Sequence, residues 1–277
     1  MTLPASALAH YFNRIGYTGT PGTDPVTLHA LHVRQPLTIA FENLDSWLGR
    51  PVALTPEAIF DKLVLRGRGG YCFEQNLLFR LVLEHLGFTV RGLSARVLWN
   101  LPDDQVLPRT HQLLLVHCAG EDWIADVGFG GLTMTAPLRL GTLQPQATPH
   151  ETLRLVALPE GGYRLEAKIA QQWRPLYAFS LEAQQTADYE MANWYVSTHP
   201  SSRMVLELIA ARADHGCRHA LLGRRYTQHF PDGRHEQRTI ESPTALRHLL
   251  ETTLQINTHA LPELDTRLAT LFANTAP

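Results

Sequence analysis

Lysine is almost absent from this sequence: Lys62 and Lys168 are the only two among 24 basic residues in a chain of 277. The 24 basic residues face 26 acidic ones, a formal net charge of -2, so the basic stripe that a nucleic acid or a lipid surface would demand is missing. Neither partner is expected. Cysteine is scarce as well. Cys72, Cys118 and Cys217 are odd in number, far apart and without a CxxC pair, which speaks against a disulfide framework and against a zinc ribbon. No apolar run approaches the roughly 18 residues of a membrane span, and the N-terminal MTLPASALAHYFNRIGY lacks the basic start of a signal peptide. The expectation is a cytoplasmic protein of a reducing compartment, with no metal and with its oligomeric state, a homo-oligomer included, left open.

What the chain does have is an ordinary globular composition, 44% hydrophobic and 18% charged, which excludes disordered, collagen-like and coiled-coil classes. At roughly 150 residues per domain the length allows about two domains, with one large or three small ones as alternatives. The first part reads as helical. Asp24-Pro25 and Thr55-Pro56 each put a cap residue before a proline at the first helical position, and Leu77, Leu78, Leu81, Val82 and Leu86 recur at helical spacing until Gly87. After Gly87 the period falls to two. Gln112 to His117 and Trp123 to Val127 read as strands joined by a turn containing Ala119-Gly120, and Tyr163 to Ile169 and Trp173 to Phe179 alternate in the same way. Residues 89 to 180 therefore predict an antiparallel sheet or barrel. DYEMANWY from Asp188 predicts a linking helix that stops before His199-Pro200, and a hairpin around Pro231-Asp232-Gly233 followed by a helix from Ser242-Pro243 makes the last third mixed.

The stretch most informative for chemistry is RGRGGYCFEQN, Arg66 to Asn76, where a glycine-rich turn delivers Cys72 to the start of a helix. Free backbone N–H groups and the helix dipole favour negative charge there, so a thiolate is stabilised and can attack carbonyl carbon. The competing reading is a buried cysteine acting as a small hydrophobe. A nucleophilic cysteine needs a base with an acid behind it. If Cys118 lies opposite Glu121, paired positions sum to 239; Leu113 then faces Asp126, and His111 falls on the same face, diagonal to Asp126. A carboxylate in that place would fix the imidazole tautomer and stabilise its protonated form. An odd-length loop would send the two side chains to opposite faces, and a strand-end histidine at the surface with a turn-capping aspartate is the alternative.

RGRGGYCFEQN, PRTHQLLLV and WIADVGFGG, together with FENLD near Phe41 and NWYVSTHPSS from Asn193, strongly resemble the arylamine N-acetyltransferase family over residues 40 to 204. The resemblance implies that Cys72, His111 and Asp126 are nucleophile, base and orienting acid. It implies an α+β fold of N-terminal helical bundle (1–88), antiparallel β-barrel (89–187), interdomain helix and linker (188–202) and C-terminal α/β lid (203–277), with a Cys-protease-like Cys-His-Asp core. It also implies ping-pong transfer of an acetyl group from acetyl-CoA, as co-substrate, to arylamines, arylhydroxylamines or arylhydrazines. Phe41, Val97 and Phe129 would line the acyl and amine pocket and Tyr71, beside the nucleophile, would add a wall, with ordinary core packing the alternative for each and the preferred one for Val97; Met204 stands where the family pattern has phenylalanine. Trp99 and Thr110 match positions that contact CoA, and Gly128, Gly130 and Gly131 would let backbone approach its pyrophosphate, a barrel corner being the other reading. Arg68 and Glu42 would form a structural ion pair.

Three rivals stand beside this reading: an amide synthase of the same family that releases a polyketide, a transglutaminase-like or papain-like thiol hydrolase, and a non-enzymatic CoA- or aromatic-binding protein. Asp214, His215, Cys217 and His219 match no standard zinc spacing, so a solvated basic loop is expected there. Arg212, Arg218, Arg224, Arg225, Arg234 and Arg238 would suit CoA phosphates or be scattered surface charge, the second being preferred.

Overall fold

The computed structural model describes residues 5–102 and 105–273. Its helical part comprises α1 (Ala5–Ile15), α2 (Pro25–Thr38), a short strand β1 (Phe41–Glu42), α3 (Leu44–Trp47), α4 (Pro56–Phe60) running into a π-helical turn at Asp61–Leu65, and α5 (Cys72–His85). The caps act as the sequence predicts. The Asp24 carboxylate accepts from Thr27 N at 2.8 Å and the Thr55 hydroxyl from Ala58 N at 3.3 Å, with proline next in both cases. Tyr11, Leu28, Leu31, Ile59, Leu63, Leu78 and Phe79 form the core between these helices, together with Leu114, Val116 and Ala125 of the neighbouring sheet.

That sheet has eight antiparallel strands in the order β5-β4-β3-β2-β9-β8-β7-β6. They are β2 (Thr89–Val97), β3 (His111–Cys118), β4 (Glu121–Ala125), β5 (Leu138–Arg139), β6 (Gln146–Ala147), β7 (Thr152–Ala157), β8 (Tyr163–Ile169) and β9 (Gln172–Phe179). Alternation divides its two faces: Leu113 and Leu115 point into the barrel with Leu93, Ile124, Leu165 and Tyr177, while Leu114 and Val116 meet the helices. The sheet stops short of a continuous ladder. Between β5 and β6 the Gln146 side chain takes the place of a strand, accepting from Arg139 N at 2.9 Å and donating to Arg139 O at 3.0 Å. A bulge at Leu165/Glu166 accommodates Pro175 on β9, whose missing N–H the ladder can spare there.

Helix α6 (Thr186–Thr198) leads through α7 (Arg203–Leu206) to a second antiparallel sheet, ordered β1-β10-β11-β12-β13, with β10 (Ile209–Asp214), β11 (Cys217–Leu222), β12 (Arg225–His229) and β13 (His235–Thr239). Helices α8 (Pro243–Thr252) and α9 (Leu264–Ala273) cover it through Leu246, Leu249, Leu250, Leu264 and Leu268. Strand β1, drawn from the helical part of the sequence, pairs with β10 and so ties that part to the second sheet. Among the described residues no helix is long and apolar enough to cross a membrane.

The expected solvated loop around Asp214 is instead a pair of buried strands. His215-Gly216 makes a tight turn, Gly216 taking φ +75°, and Asp214 pairs with Cys217. Cys217 and His219 are buried; His219 Nδ1 lies 2.7 Å from the Tyr226 hydroxyl and its Nε2 3.3 Å from Asp214 Oδ2. Among the described residues these groups do not make a metal-holding cluster. Arg212 and Arg218 are likewise buried and satisfied, Arg212 by Asp214, Leu37 O and Thr253 O, and Arg218 by both oxygens of Glu151 at 2.6 and 2.5 Å. Neither is left over for a phosphate.

Candidate active site

The glycines before Cys72 are there because other atoms occupy their side-chain space. A β-carbon on Gly69 would stand 2.2 Å from Ala40 O, and one on Gly70 2.7 Å from Glu74 Oε2. Glu74 needs that space to reach back over the first turn of α5 and accept from Tyr71 N at 3.1 Å, the carboxylate half of a capping box. Its other oxygen accepts from Lys62 Nζ at 2.6 Å; Lys62 also pairs with Asp45 at 2.5 Å, and Arg68 pairs with Glu42 at 2.7 Å and Asp45 at 3.2 Å. The Arg68–Glu42 pair expected from the sequence is thus one edge of a buried five-residue network beneath the start of α5. Burial pushes the Glu74 carboxyl up to about 7, with Lys62 pulling it down and Glu42 adding to the rise. Asp45 is held below the usual range because Lys62 and Arg68 together outweigh its burial.

Cys72 opens α5 with its sulfur 3.7 Å from Thr110 O. The next residue along, His111, starts β3, and its Nε2 lies 2.8 Å from Asp126 Oδ2. The hairpin register is the one the pairing sum of 239 requires: Cys118 faces Glu121 and Leu114 faces Ala125, across a two-residue turn in which Ala119 and Gly120 take φ +52° and +76°. Nε2 belongs to Asp126, which leaves Nδ1 as the ring nitrogen free to serve the Cys72 sulfur. His111 and Asp126 are 3% and 0% exposed. Burial opposes charge on the imidazole, but the Asp126 carboxylate, its hydrogen bond and the Cys72 sulfur override it, and the His111 pKa rises to about 10. Asp126 moves the other way, its burial outweighed by His111, Asn76 and the Gly128 amide.

Aromatic rings enclose this imidazole. Phe129 meets it edge-on at 5.1 Å between centroids and Tyr177 lies at 4.9 Å. Phe41, Tyr71 and Cys72 share one apolar cluster against which Met204 packs, so four of the side chains named from the sequence converge. Val97 is half-buried, opposite Tyr177 in the ladder. Trp99 packs on the barrel core with the Arg174 guanidinium 5.8 Å from its ring centroid. Thr110 contributes its carbonyl beside the sulfur. Gly130 takes φ +88° beside the Phe41 ring, and Gly131 has nothing nearer to its side-chain position than Ala220 Cβ at 4.0 Å. Gly128 is different, because the backbone of Cys72 occupies the place where a β-carbon would go.

Several residues of the site escape a reading of the sequence. Asn76 donates to Asp126 Oδ1 at 2.9 Å and to Gln112 O at 2.7 Å, and accepts from Val127 N at 3.0 Å. Its position one helical turn after Cys72 was a usable signal, since residues four apart share a face. Tyr177 is fully buried, and burial together with Asp126 holds its hydroxyl well above the usual phenol range. His32, from α2, accepts from Asp126 N at 3.1 Å. Lys62 and Asp45 join the Arg68–Glu42 pair only through the folding of the π-helical turn and α3.

With this geometry in view, the likenesses to known proteins fall into place. An N-acetyltransferase family model matches residues 25–261. An arylamine N-acetyltransferase of Mycolicibacterium smegmatis is 46% identical over 229 residues, 81% of this chain and 83% of that protein, and one of Mycobacterium tuberculosis is 42% identical over 275 residues, 96% of each. Among solved structures, the Mycobacterium marinum arylamine N-acetyltransferase in complex with CoA superposes with a TM-score of 0.92 at 38% identity, covering 96% of this chain and 98% of that one. On the family match, the sequence identity and the shared fold together, the chain belongs to the arylamine N-acetyltransferases, a family of acyltransferase enzymes.

Proposed function

We propose that the protein transfers an acetyl group from acetyl-CoA to an aromatic amine, hydroxylamine or hydrazine through an acetyl-Cys72 intermediate. The observation that carries this reading is the His111 imidazole, bonded through Nε2 to the buried Asp126 carboxylate and following directly on Thr110, whose carbonyl lies 3.7 Å from the Cys72 sulfur. A base whose pKa stands at about 10 is an imidazolium at neutral pH, and its natural partner is a thiolate. The Cys72 thiolate attacks the thioester carbonyl. The C–S bond to CoA breaks, and the departing sulfur takes the proton from His111 Nδ1. The amine nitrogen then attacks acetyl-Cys72, His111 Nδ1 accepts the proton that nitrogen sheds, and release of the amide restores the thiolate–imidazolium pair.

CoA as the acyl carrier is supported by the M. marinum relative that was solved with it, and aromatic acceptors by the names of the relatives and by the rings around His111. The same rings would keep water from acetyl-Cys72 until the amine arrives. Phe41, Tyr71, Phe129 and Met204 are proposed as the apolar walls, and Trp99, Thr110 and the Gly130-Gly131 backbone as the side from which the pantetheine enters. The test is intact mass after incubation with acetyl-CoA alone: one acetyl group is expected on the Cys72 peptide, removed on addition of an arylamine. CoA held at full occupancy with no covalent adduct would overturn the reading.

A further inference from the structure

Asp126 lies one residue past Ala125, the last of the ladder between β4 and β3, and from there the backbone leaves regular structure. Three successive amides are then satisfied by side chains: Asp126 N by His32 Nε2 at 3.1 Å, Val127 N by Asn76 Oδ1 at 3.0 Å, and Gly128 N by Asp126 Oδ1 at 2.9 Å. The direction in which the Asp126 carboxylate points is therefore set by acceptors on α2 and α5 rather than by the sheet.

His32 is the unusual member. It sits on the buried face of α2 with Leu28, Leu31 and Gln35, is 0% exposed, and meets the Phe79 ring edge-on at 5.6 Å. A backbone N–H can only donate, so Nε2 carries no proton and the ring is neutral with its hydrogen on Nδ1. Nδ1 has no hydrogen-bond partner among the described residues. Leaving a buried polar atom unpaired is costly, and the leucines beside it fill the same face at no such cost. The contact that accounts for an imidazole here is the one to Asp126.

We propose that His32 is a positioning residue of the Cys72–His111–Asp126 site: by accepting the Asp126 amide it fixes the backbone from which the carboxylate reaches His111, and it must stay uncharged to do so. Asp126 is thus flanked by two imidazoles in opposite states, a protonated one at its carboxylate and a neutral one at its amide. The surroundings agree. Burial drives the His32 pKa down to about 3; Asp126 pulls it up, His29 on the same helix pushes it down, and the α5 neighbour Phe79 carries no charge. The proposal rests on the acyl-transfer reading and adds to it a residue that touches neither substrate nor sulfur.

The test compares the full-length protein with His32→Leu and His32→Gln, reading the pH profile of Cys72 alkylation by iodoacetamide beside thermal unfolding. A leucine fills the space without an acceptor, whereas the glutamine oxygen accepts. His32→Leu is expected to slow alkylation at pH 7 about tenfold, the size of one buried hydrogen bond, and to move the acidic limb of the profile to higher pH; His32→Gln is expected to recover most of both. A wild-type profile in His32→Leu, or an equal loss in both variants at matched folding, would overturn the proposal. Nitrogen NMR of the wild type checks the same point without any variant. The His32 ring should hold its Nδ1–H neutral form from pH 5 to 8, and an imidazolium or an Nε2–H form in that range overturns it. If wild-type Cys72 shows only ordinary thiol reactivity, the acyl-transfer reading fails instead, and the NMR result still decides the state of His32.

Discussion

Gly128 leans on the nucleophile itself: a β-carbon at this residue would stand 2.8 Å from the Cys72 Cα, 3.1 Å from Asn76 Nδ2 and 3.1 Å from Gln75 Cβ. Two of these three atoms cannot swing aside, since one is backbone and one is the root of a buried side chain. Gly128→Ala is therefore expected to push the first turn of α5 away from Asp126. Overpacking of this kind costs about 1–3 kcal/mol of stability, and because the displaced element carries the sulfur, kcat/KM for acetyl transfer should fall by about 100-fold, the effect of an ångström-scale misplacement. Gly141→Ala, with nothing within 4 Å of its side-chain position and no part in the proposed site, should leave α5 in place and is the control. Steady-state kinetics with chemical denaturation of both variants would check this, and a fully active Gly128→Ala enzyme would contradict it.

Asp126 admits a sharper substitution. Its Oδ1 accepts from Asn76 Nδ2 and Gly128 N, and its Oδ2 faces His111 Nε2. In Asp126→Asn the two donors hold the amide oxygen where Oδ1 was, which turns the new NH2 group toward His111. Nε2 must then accept, Nδ1 carries the hydrogen toward Cys72, and burial, freed of its largest opponent, drives the imidazole neutral. Acetyl transfer should drop by about 10^3- to 10^4-fold, as wrong-tautomer substitutions do in triads of this logic, with circular dichroism unchanged. A loss below tenfold would show that the carboxylate does not set the state of His111.

Much of this arrangement was legible before any coordinates. The two-residue Ala119-Gly120 turn fixes the hairpin register that carries His111 and runs up to Asp126, while the aim of the Asp126 carboxylate, just past the ladder, depends on α2 and α5. The proline-flanked caps were equally plain, because capping is a matter of adjacent residues. The residues that escaped depend on packing between distant segments. His32 and Tyr177 meet Asp126 from α2 and β9, at sequence separations no pairing rule spans. The stretch from Asp214 to His219 misled for the same reason: its polar side chains resemble a wet loop until Tyr226 and Glu151 are brought against them.

The His111–Asp126 pair makes stability depend on pH in a defined window. Folding raises the His111 pKa from 6.5 to about 10, so its contribution is complete below pH 6.5 and is lost as the pH climbs through 10. Asp126, lowered from 3.8, contributes fully above that value and loses its contribution as the pH falls through the depressed one. Both are intact from about pH 4 to 6.5. The difference in unfolding free energy between wild type and His111→Gln, measured in urea at pH 6, 8 and 10, should therefore shrink steadily toward pH 10. A difference that is flat or grows with pH would contradict the assignment of the proton to His111.

Beneath the same helix, Arg68 and Glu42 are 4% and 0% exposed, and each holds more than the other. Arg68 also meets Asp45, and Glu42 Oε2 accepts from Leu44 N at 2.6 Å. Removing the arginine strands a buried carboxylate without its partner, so Arg68→Met should cost about 3–5 kcal/mol. Removing both charges leaves nothing stranded. Arg68→Met combined with Glu42→Gln, whose amide oxygen still accepts from Leu44 N, is expected to lie closer to wild type than Arg68→Met alone, with Lys62 left to hold Asp45 and Glu74. Urea unfolding of the single and double variants measures that coupling directly, and losses that simply add would mean the pair acts as two independent surface-like charges rather than as one buried unit.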